Sequence, residues 1–464
     1  MIAFAHILGI PVEENLPYLV PAGGALLLLR LRARAAHAAL QKWRRSPRQV
    51  RRAPSHAEVE RILDGAPHAR ELSRLAELAV CVGANVQSGQ IVAVSADVGQ
   101  EPLARSVADS AYRHGARFVD VTYFDRQIQR SRLEHAATVT LPFVPSWYGA
   151  RAEQLGEQRC ASIGITGPVA PGLLDHVDAD RIAADRLPEI VEMHAVVAAQ
   201  DVNWTVVPGP NVAWACQVFP TLPPDAALAA LWRDVAHIMR LDETDPVEAW
   251  NVRQDALETK SAQLTTAELD SIHFSGPGTD LTVGLLPGSR WASARLHTAD
   301  RVTHVANLPS EEIFTTPDPA RTEGHVLATR PVVIGGTMCE RVRLEFAHGK
   351  VVRVAAARGA EHLAALIRKD AGAKRLGEIA LVDEHSRIGR LGRTFFETLL
   401  DENAACHLAL GSGYPFLINP ETAHRCNASA IHNDVMIGTS ELEITGIRRN
   451  GQPLAIMSAG VWRL

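Results

Sequence analysis

Closely spaced cysteines are missing from this chain. Its 464 residues contain six widely separated cysteines, and no Cys-x-x-Cys pair occurs. Paired cysteines at short spacing are typical of disulfide frameworks and of thiolate zinc sites. Scattered single cysteines are typical of reduced cytosolic proteins, so we predict free, mostly buried thiols and a cytoplasmic location.

Glycine-rich phosphate-binding loops are also absent. Neither GxGxxG nor GxxxxGK[ST] occurs, and residues 164–168, the nearest approach to them, favour a turn. The net charge of −5 combines a basic segment, residues 1–52 at +7, with a body of about −12. Because an acidic surface repels the phosphate backbone, we expect no nucleic acid among the partners of this body.

An apolar run long enough to cross a bilayer as a helix is missing as well. Residues 15–29 are uncharged and mostly apolar but fall short of the ~20 residues required, and basic residues follow them to position 45. A secretory signal has its charges before the apolar run, not after it. Residues 1–55 are therefore expected to form an apolar and basic extension with a linker. Membrane association through residues 15–45 and an extension without a membrane role stay open as interpretations.

The segment from residue 56 to 265 alternates between strand and helix patterns. Residues 91–96 and 118–123 are β-type runs, and residues 101–112 between them carry one apolar face at helical spacing. A strand–helix–strand unit predicts parallel pairing, so we expect an α/β domain here. Further strands are predicted near 161–164 and 205–207, and helices at 226–239 and 246–266.

The last part of the chain, residues 266–464, is richer in strand patterns. Residues 342–346 and 351–354 flank His348-Gly349 and predict a hairpin. Asn450-Gly451 is a strong signal for another hairpin turn. With a short helix predicted at 361–368, these patterns indicate an α+β, strand-rich C-terminal domain.

This C-terminal domain concentrates potential metal ligands in 33 residues: Glu402, His407, Tyr414, His432 and Asp434. A mixed carboxylate and imidazole set suits hard or borderline divalent cations, and pairs of such ions are widely used for hydrolysis. His432 and Asp434 are two residues apart, which on a strand places both side chains on one face. Each residue also has a structural interpretation, as a solvated acid or a hydrogen-bonded histidine. Cys406, beside His407, is interpreted as a core residue.

Two acidic segments further upstream carry the same ambiguity. Glu311-Glu312 lies between apolar residues, and Glu378 opens the apolar run 378–382. A carboxylate buried there needs a partner, whereas one at the surface needs none. Spacing alone does not connect these positions to His432.

Together these segments resemble the aminopeptidase T family of dinuclear metallopeptidases, over about residues 70–464. The resemblance is carried by five segments in a fixed order, which makes it far more specific than one short motif. The segments are 307–315 (NLPSEEIFT), 377–382 (GEIALV), 401–407 (DENAACH), 411–415 (GSGYP) and 432–438 (HNDVMIG). The first fifty residues depart from the family pattern, and the stretch between Tyr414 and His432 is short.

The resemblance implies an α/β domain followed by a metal-binding domain, often in a homodimer, and removal of N-terminal residues from peptide substrates. It implies that two divalent ions, with Co²⁺, Zn²⁺ or Mg²⁺ as candidates, are held by Glu312, Glu378, Glu402, His407, His432 and Asp434. It also puts Tyr414 beside the ions, where its O–H would donate to the developing oxyanion. Glu311, next to a ligand, is a candidate for carrying a proton to the leaving amine.

Two other functions are alternatives to the metallo-aminopeptidase. The first is a mononuclear Fe(II) ring-cleaving dioxygenase on a similar scaffold, because histidines with one carboxylate and open positions suit Fe(II). The second is a non-catalytic module that has only inherited the scaffold. All six predicted ligands are present, which favours two metal ions and the peptidase.

Overall fold

A parallel sheet organises the first half of the described chain. The structure is a computed structural model that describes residues 68–187, 190–334 and 337–464. The sheet has the order β2-β1-β3-β4, and every neighbouring pair in it is parallel. Its strands are β1 (Ile91–Asp97), β2 (Phe118–Phe124), β3 (Ala161–Thr166) and β4 (Asn203–Pro208). The parallel strand–helix–strand unit predicted at 91–123 is confirmed.

The described residues up to 266 contain nine α-helices, of which the sequence predicts three. Their bounds are α1 (Ala69–Leu78), α2 (Glu101–Arg113), α3 (Arg126–His135), α4 (Ser146–Glu157), α5 (Ala179–Ala184), α6 (Val191–Ala198), α7 (Val212–Val218), α8 (Pro224–Ile238) and α9 (Pro246–Thr266). The helices predicted at 101–112, 226–239 and 246–266 are confirmed to within two residues. In α9, Pro246 occupies the first turn and the Asp245 carboxylate accepts from the Glu248 N–H, a strong start signal.

The second half of the chain forms antiparallel sheets. An eight-stranded sheet has the order β14-β13-β10-β6-β5-β18-β19-β20, and a four-stranded sheet has the order β17-β16-β15-β9. The strands are β5 (Leu269–Gly276), β6 (Thr279–Leu285), β7 (Arg295–His297), β8 (Thr303–Val305), β9 (Glu312–Thr315), β10 (Pro317–Leu327), β11 (Val332–Ile334), β12 (Thr337–Cys339), β13 (Arg343–Ala347), β14 (Lys350–Ala355), β15 (Leu376–Val382), β16 (His407–Gly411), β17 (His432–Met436), β18 (Glu443–Arg448), β19 (Pro453–Ser458) and β20 (Val461–Trp462). The helices are α10 (Ala360–Leu366) and α11 (Thr398–Glu402).

Both predicted hairpins are present, with different turns. His348 and Gly349 have φ of 52° and 74°, and the positive φ at both central residues is what a type I′ turn between β13 and β14 requires. In the hairpin of β18 and β19, the Gly451 N–H donates to the Arg448 carbonyl and the Arg448 N–H to that of Gln452. This loop has three residues and uses Gly451, at φ 84°, as its left-handed position.

Two hydrophobic cores support these layers. The first lies beneath the parallel sheet and also takes in Leu308, Phe395 and Leu400 from the second half of the chain. The second fills the strand-rich half and takes in Leu257 and Leu264 of α9. The segment before β9 and helix α11 therefore pack against the α/β layer, whereas β9 itself belongs to the four-stranded antiparallel sheet.

The domain boundary predicted at 265/266 stays a prediction, and it lies at the last residue of α9, Thr266. The N-terminal extension predicted for residues 1–55, including the segment 15–45, lies outside the described residues. Across the described ranges, no helix combines the length and the hydropathy needed to cross a membrane. The six cysteines are all free, as predicted.

Candidate metal centre

The four-stranded sheet β17-β16-β15-β9 presents the predicted ligands on one face. Its register pairs Val382 with Glu312, Glu378 with Ala409, and Ala409 in turn with Asp434. Directly paired residues share a face, and so do residues two apart on a strand. By this rule the face carries Glu312, Glu378, His407, His432 and Asp434.

Contact distances divide these side chains into two groups that share one carboxylate. Glu312, Glu378 and His407 form one group, and Glu378, His432 and Asp434 form the other; ligand atoms within each group lie within 4.8 Å of one another. His407 Nε2 is 3.2 Å from Glu312 Oε2, and His432 Nε2 is 2.9 Å from Glu378 Oε2. Asp434 Oδ1 links the groups, at 4.0 Å from His407 Nε2 and 3.7 Å from His432 Nε2.

Glu402 and Tyr414 complete the cluster from outside the sheet. Glu402 ends α11, is buried, and accepts at Oε1 from Asn307 and Asn403 side-chain amides at 3.4 Å each. Burial, and then the charges of Asp434 and Glu312, raise the pKa of Glu402 well above its usual value. The Tyr414 hydroxyl lies 3.5 Å from Glu378 Oε2 and 3.4 Å from His432 Nε2.

Electrostatics make this cluster a site for cations. Glu378, buried at 4% exposure, has a pKa raised first by burial and also by the charge of Glu312. Burial alone would lower the pKa of His407, but its hydrogen bond to Glu312 and the neighbouring carboxylates outweigh this effect and raise the pKa to about 9. The pKa of His432 rises to about 10 for the same reason, with Glu378 as its hydrogen-bond partner. Four carboxylates around two imidazoles leave an excess of negative charge that divalent cations would neutralise.

The two imidazoles are oriented as metal ligands are. His407 Nδ1 lies 3.1 Å from the Glu402 carbonyl oxygen, and His432 Nδ1 lies 2.9 Å from that of Ser412. In the neutral imidazole, an Nδ1–H that donates to a backbone carbonyl leaves the Nε2 lone pair for a metal ion, whose charge would displace the second proton. Both Nε2 atoms face the carboxylates. The donor set, carboxylate oxygens with imidazole nitrogens, fits a divalent-cation centre.

Glu311 lies elsewhere, although it precedes Glu312. Its carboxylate is 1% exposed, with Oε1 2.8 Å from an Arg240 nitrogen and Oε2 2.5 Å from an Arg253 nitrogen. Its N–H donates to Asn403 Oδ1 at 2.6 Å. Because both oxygens are held by guanidinium groups, this geometry gives no support to the predicted role of Glu311 in proton transfer.

A further buried carboxylate near the cluster had no indication in the sequence patterns. Glu397 begins α11, where Oε2 accepts from the Leu400 N–H at 3.1 Å and Oε1 accepts from the Thr166 hydroxyl at 2.8 Å. Burial is the main reason why its pKa rises to about 7. The only sequence signal was its position three residues before Leu400, which is that of a helix-capping side chain.

The fold and this cluster together define a metal-dependent enzyme with oxygen and nitrogen ligands. More particularly, the chain belongs to the thermophilic metalloprotease (M29) family, whose model matches residues 68–462. Membership of this family implies a divalent metal cofactor.

The relatives agree with this assignment. The chain is 36% identical over 402 residues to aminopeptidase T of Thermus thermophilus, a match that covers 85% of this chain and 98% of that protein. It is 34% identical over 404 residues to aminopeptidase 2 of Geobacillus stearothermophilus, covering 85% and 98%. The solved structure of wild-type AmpT from Thermus thermophilus superposes with a TM-score of 0.78 at 35% identity, covering 86% of this chain and 100% of that one. The resemblance to the aminopeptidase T family is confirmed, and none of these matches supports the ring-cleaving dioxygenase.

Proposed function

We propose that this chain is a metal-dependent aminopeptidase that removes N-terminal residues from peptides through a centre of two divalent ions. The observation that carries the proposal is the pair of ligand groups on one sheet face, in a chain of this metalloprotease family. Glu378 belongs to both groups, so its carboxylate would help to hold both ions. The remaining ligands are assigned to Glu312, Glu402, His407, His432 and Asp434.

The chemistry of the donors narrows the choice of ion. Imidazole nitrogens favour Zn²⁺ or Co²⁺, whereas Mg²⁺ prefers oxygen ligands and retains more water. Zn²⁺ and Co²⁺ are therefore favoured over Mg²⁺. Divalent ions bound here would lower the pKa of a water molecule and polarise the carbonyl of the scissile bond.

Tyr414 is suited to donate a hydrogen bond to the oxyanion that develops on that carbonyl. Burial of its hydroxyl, together with the charges of Glu378 and Asp434, raises its pKa well above the usual value, so the phenol keeps its proton through neutral pH. Its ring packs against Phe314 and Phe416, with centroids 5.2 Å and 5.7 Å away. A donor held in this way needs little reorganisation as charge develops.

An exopeptidase must also recognise the α-amine of its substrate and deliver a proton to the leaving amine, and we assign both tasks to the carboxylates. Their excess negative charge would attract the protonated α-amine that marks the N-terminus of a peptide. The proton delivered to the leaving amine is assigned to a carboxylate of the cluster and not to Glu311, whose oxygens are held by Arg240 and Arg253.

Assembly and location extend the proposal. We propose a homodimer, as in the family that the sequence resembles. We also propose two domains, an α/β domain at residues 56–265 and a catalytic, metal-binding domain at residues 266–464. We also propose that the enzyme is cytoplasmic, which its six free cysteines support.

The test is to measure metal content and peptidase activity on the same purified protein. We expect at least two divalent ions per chain, and release of amino acids from a panel of aminoacyl-anilides that stops with a chelator and returns with Zn²⁺ or Co²⁺. N-terminally acetylated substrates should resist cleavage, because they lack the charged amine. One iron per chain without amino acid release would overturn the proposal.

A further inference from the structure

A second group of ligating side chains lies on the helices of the α/β layer. Glu77 in α1, Cys81 just after it and His114 just after α2 bring an oxygen, a sulfur and a nitrogen together within 4.8 Å. Cys81 Sγ is 3.1 Å from His114 Nε2 and 3.5 Å from Glu77 Oε1. His114 Nε2 is 3.2 Å from the same Glu77 oxygen. None of these three residues takes part in the metal centre described above.

One buried residue orients two of the three. The Ser110 carbonyl oxygen is 2.8 Å from His114 Nδ1, which fixes Nδ1–H as the donor and leaves the Nε2 lone pair free. The Ser110 hydroxyl donates to the other oxygen of Glu77, Oε2, at 3.0 Å. Oε1 of Glu77 and Nε2 of His114 are therefore the atoms left to face the sulfur.

The backbone at Cys81 is also unusual. α1 runs on into a π-helical turn, Ala79–Gly83, which contains Cys81. Such turns widen a helix by one residue and are frequent at functional sites. Here the turn sets the position of the sulfur relative to Glu77, four residues earlier.

A cysteine beside a histidine also suggests a nucleophile, but the charges oppose that role. Burial and the adjacent charge of Glu77 raise the pKa of the Cys81 thiol to about 12, whereas a nucleophilic cysteine needs a lowered pKa. A divalent cation reverses this balance, because it attracts both the carboxylate and the thiolate and drives the thiol proton off.

We propose that Glu77, Cys81 and His114 bind one Zn²⁺ ion, with its fourth position open to water or an external ligand. In a tetrahedral zinc site with bonds of ~2.3 Å to sulfur and ~2.0 Å to nitrogen and oxygen, ligand atoms lie about 3.3–3.6 Å apart. The three observed separations, 3.1, 3.2 and 3.5 Å, are close to this range before any ion draws the ligands into place. Thiolate ligation selects Zn²⁺ over Mg²⁺ or Ca²⁺.

Exposure gives the ion a route to the site. The side chains of His114 and Glu77 are 34% and 43% exposed. Bound there, Zn²⁺ would tie the π-helical turn to the end of α2 and stabilise the fold by mass action, without contacting the peptidase centre.

Co²⁺ binding to the full-length protein tests the proposal. Co²⁺ bound by a thiolate gives a sulfur-to-metal charge-transfer band in the near ultraviolet, and the peptidase centre has no cysteine among its proposed ligands. We expect the band in the wild type, its loss in Cys81→Ser, and its retention in Cys216→Ser, where another half-buried cysteine is removed. Excess Zn²⁺ should abolish the wild-type band by displacement.

A second variant keeps the test decisive if Cys81→Ser fails to fold. His114→Ala should weaken Zn²⁺ binding at this site by about tenfold or more while leaving kcat for aminoacyl-anilides at the wild-type value. Co²⁺-loaded wild type without the band would overturn the proposal. So would a band that persists in Cys81→Ser, or Zn²⁺ binding that is unchanged in His114→Ala.

Discussion

Glu311 and Glu312 are consecutive and both buried, but the charges around them have opposite signs. Glu311 lies between Arg240 and Arg253, which match its charge with two guanidinium groups. Glu312 belongs to a cluster with three other carboxylates and two imidazoles, where negative charge is in excess. The protein itself supplies the counter-charges at Glu311, whereas at Glu312 divalent cations from outside the protein would supply them.

This difference distinguishes a buried charge that stabilises the fold from buried charges that would bind a ligand. Burying a carboxylate is unfavourable unless a partner offsets the loss of its hydration. At Glu311 the protein supplies that partner, in Arg240 and Arg253. At the proposed metal centre the carboxylates repel one another, and divalent ions bound there would relieve that repulsion. Glu397 shows a third solution, because its raised pKa allows a proton to neutralise it.

Removing the shared carboxylate should have the largest effect. Glu378→Ala is expected to lower kcat/KM by at least ~10³-fold, more than the roughly 10–100-fold that follows loss of a group that only orients a ligand. In the presence of a chelator, its Tm should equal or exceed that of the wild type, since one repelling charge is gone. Activity assays and thermal unfolding with a chelator check both points, and Glu421→Ala, an exposed glutamate, is the control. Wild-type activity in Glu378→Ala would remove Glu378 from the metal centre.

Glu311→Ala should show the opposite pattern. Two partly buried guanidinium groups would lose their partner, so the free energy of unfolding should fall by up to roughly 3 kcal/mol. The folded fraction should keep its kcat within a few-fold, because the side chain faces away from the chemistry. Urea unfolding and assays at low temperature separate the two effects. A large loss of kcat at unchanged stability would restore the proton-transfer role to Glu311.

Local signals in the sequence were sufficient for much of the framework, whereas the full set of proposed ligands came from the resemblance to a known family. Periodicity located α2 and α8, and the turn residues located the two hairpins. Side chains alternate in direction along a strand, which accounts for Glu311 and Glu312 pointing in opposite directions. The same alternation predicts that His432 and Asp434, two residues apart, share a face, and His432 Nε2 lies 3.7 Å from Asp434 Oδ1.

Contacts between distant segments could not be predicted in this way. Arg240 precedes Glu311 by 71 residues, and Thr166 precedes Glu397 by 231. Cys81 and His114 are 33 residues apart, and their meeting depends on how α1 packs on α2. No short spacing encodes these pairs, because packing of the α/β layer brings them together.

A change at Tyr414 tests whether its hydroxyl donates to the developing oxyanion or supports metal binding. Tyr414→Phe keeps the ring and its packing but removes the donor, so kcat should fall by roughly 10²–10³-fold with little change in KM. Metal content should stay at the wild-type value. Tyr148→Phe, which alters an exposed tyrosine, is the matched control. If metal is lost together with activity, Tyr414 supports metal binding instead of donating to the oxyanion.

Glu397 offers the mildest test, through pH. The pKa of this acid is about 7 in the folded protein, above its usual 4.5, so the folded state holds a proton that the unfolded state has released. Its stabilising contribution is present below about pH 4.5 and is lost as the pH rises through 7, a change of up to roughly 3 kcal/mol. Glu397→Gln stays neutral at every pH, so its Tm should fall less than that of the wild type between pH 5 and 7.5. Parallel pH profiles of Tm for the two proteins would show instead that Glu397 is ionised throughout, its charge matched by its hydrogen bonds to Thr166 and the start of α11.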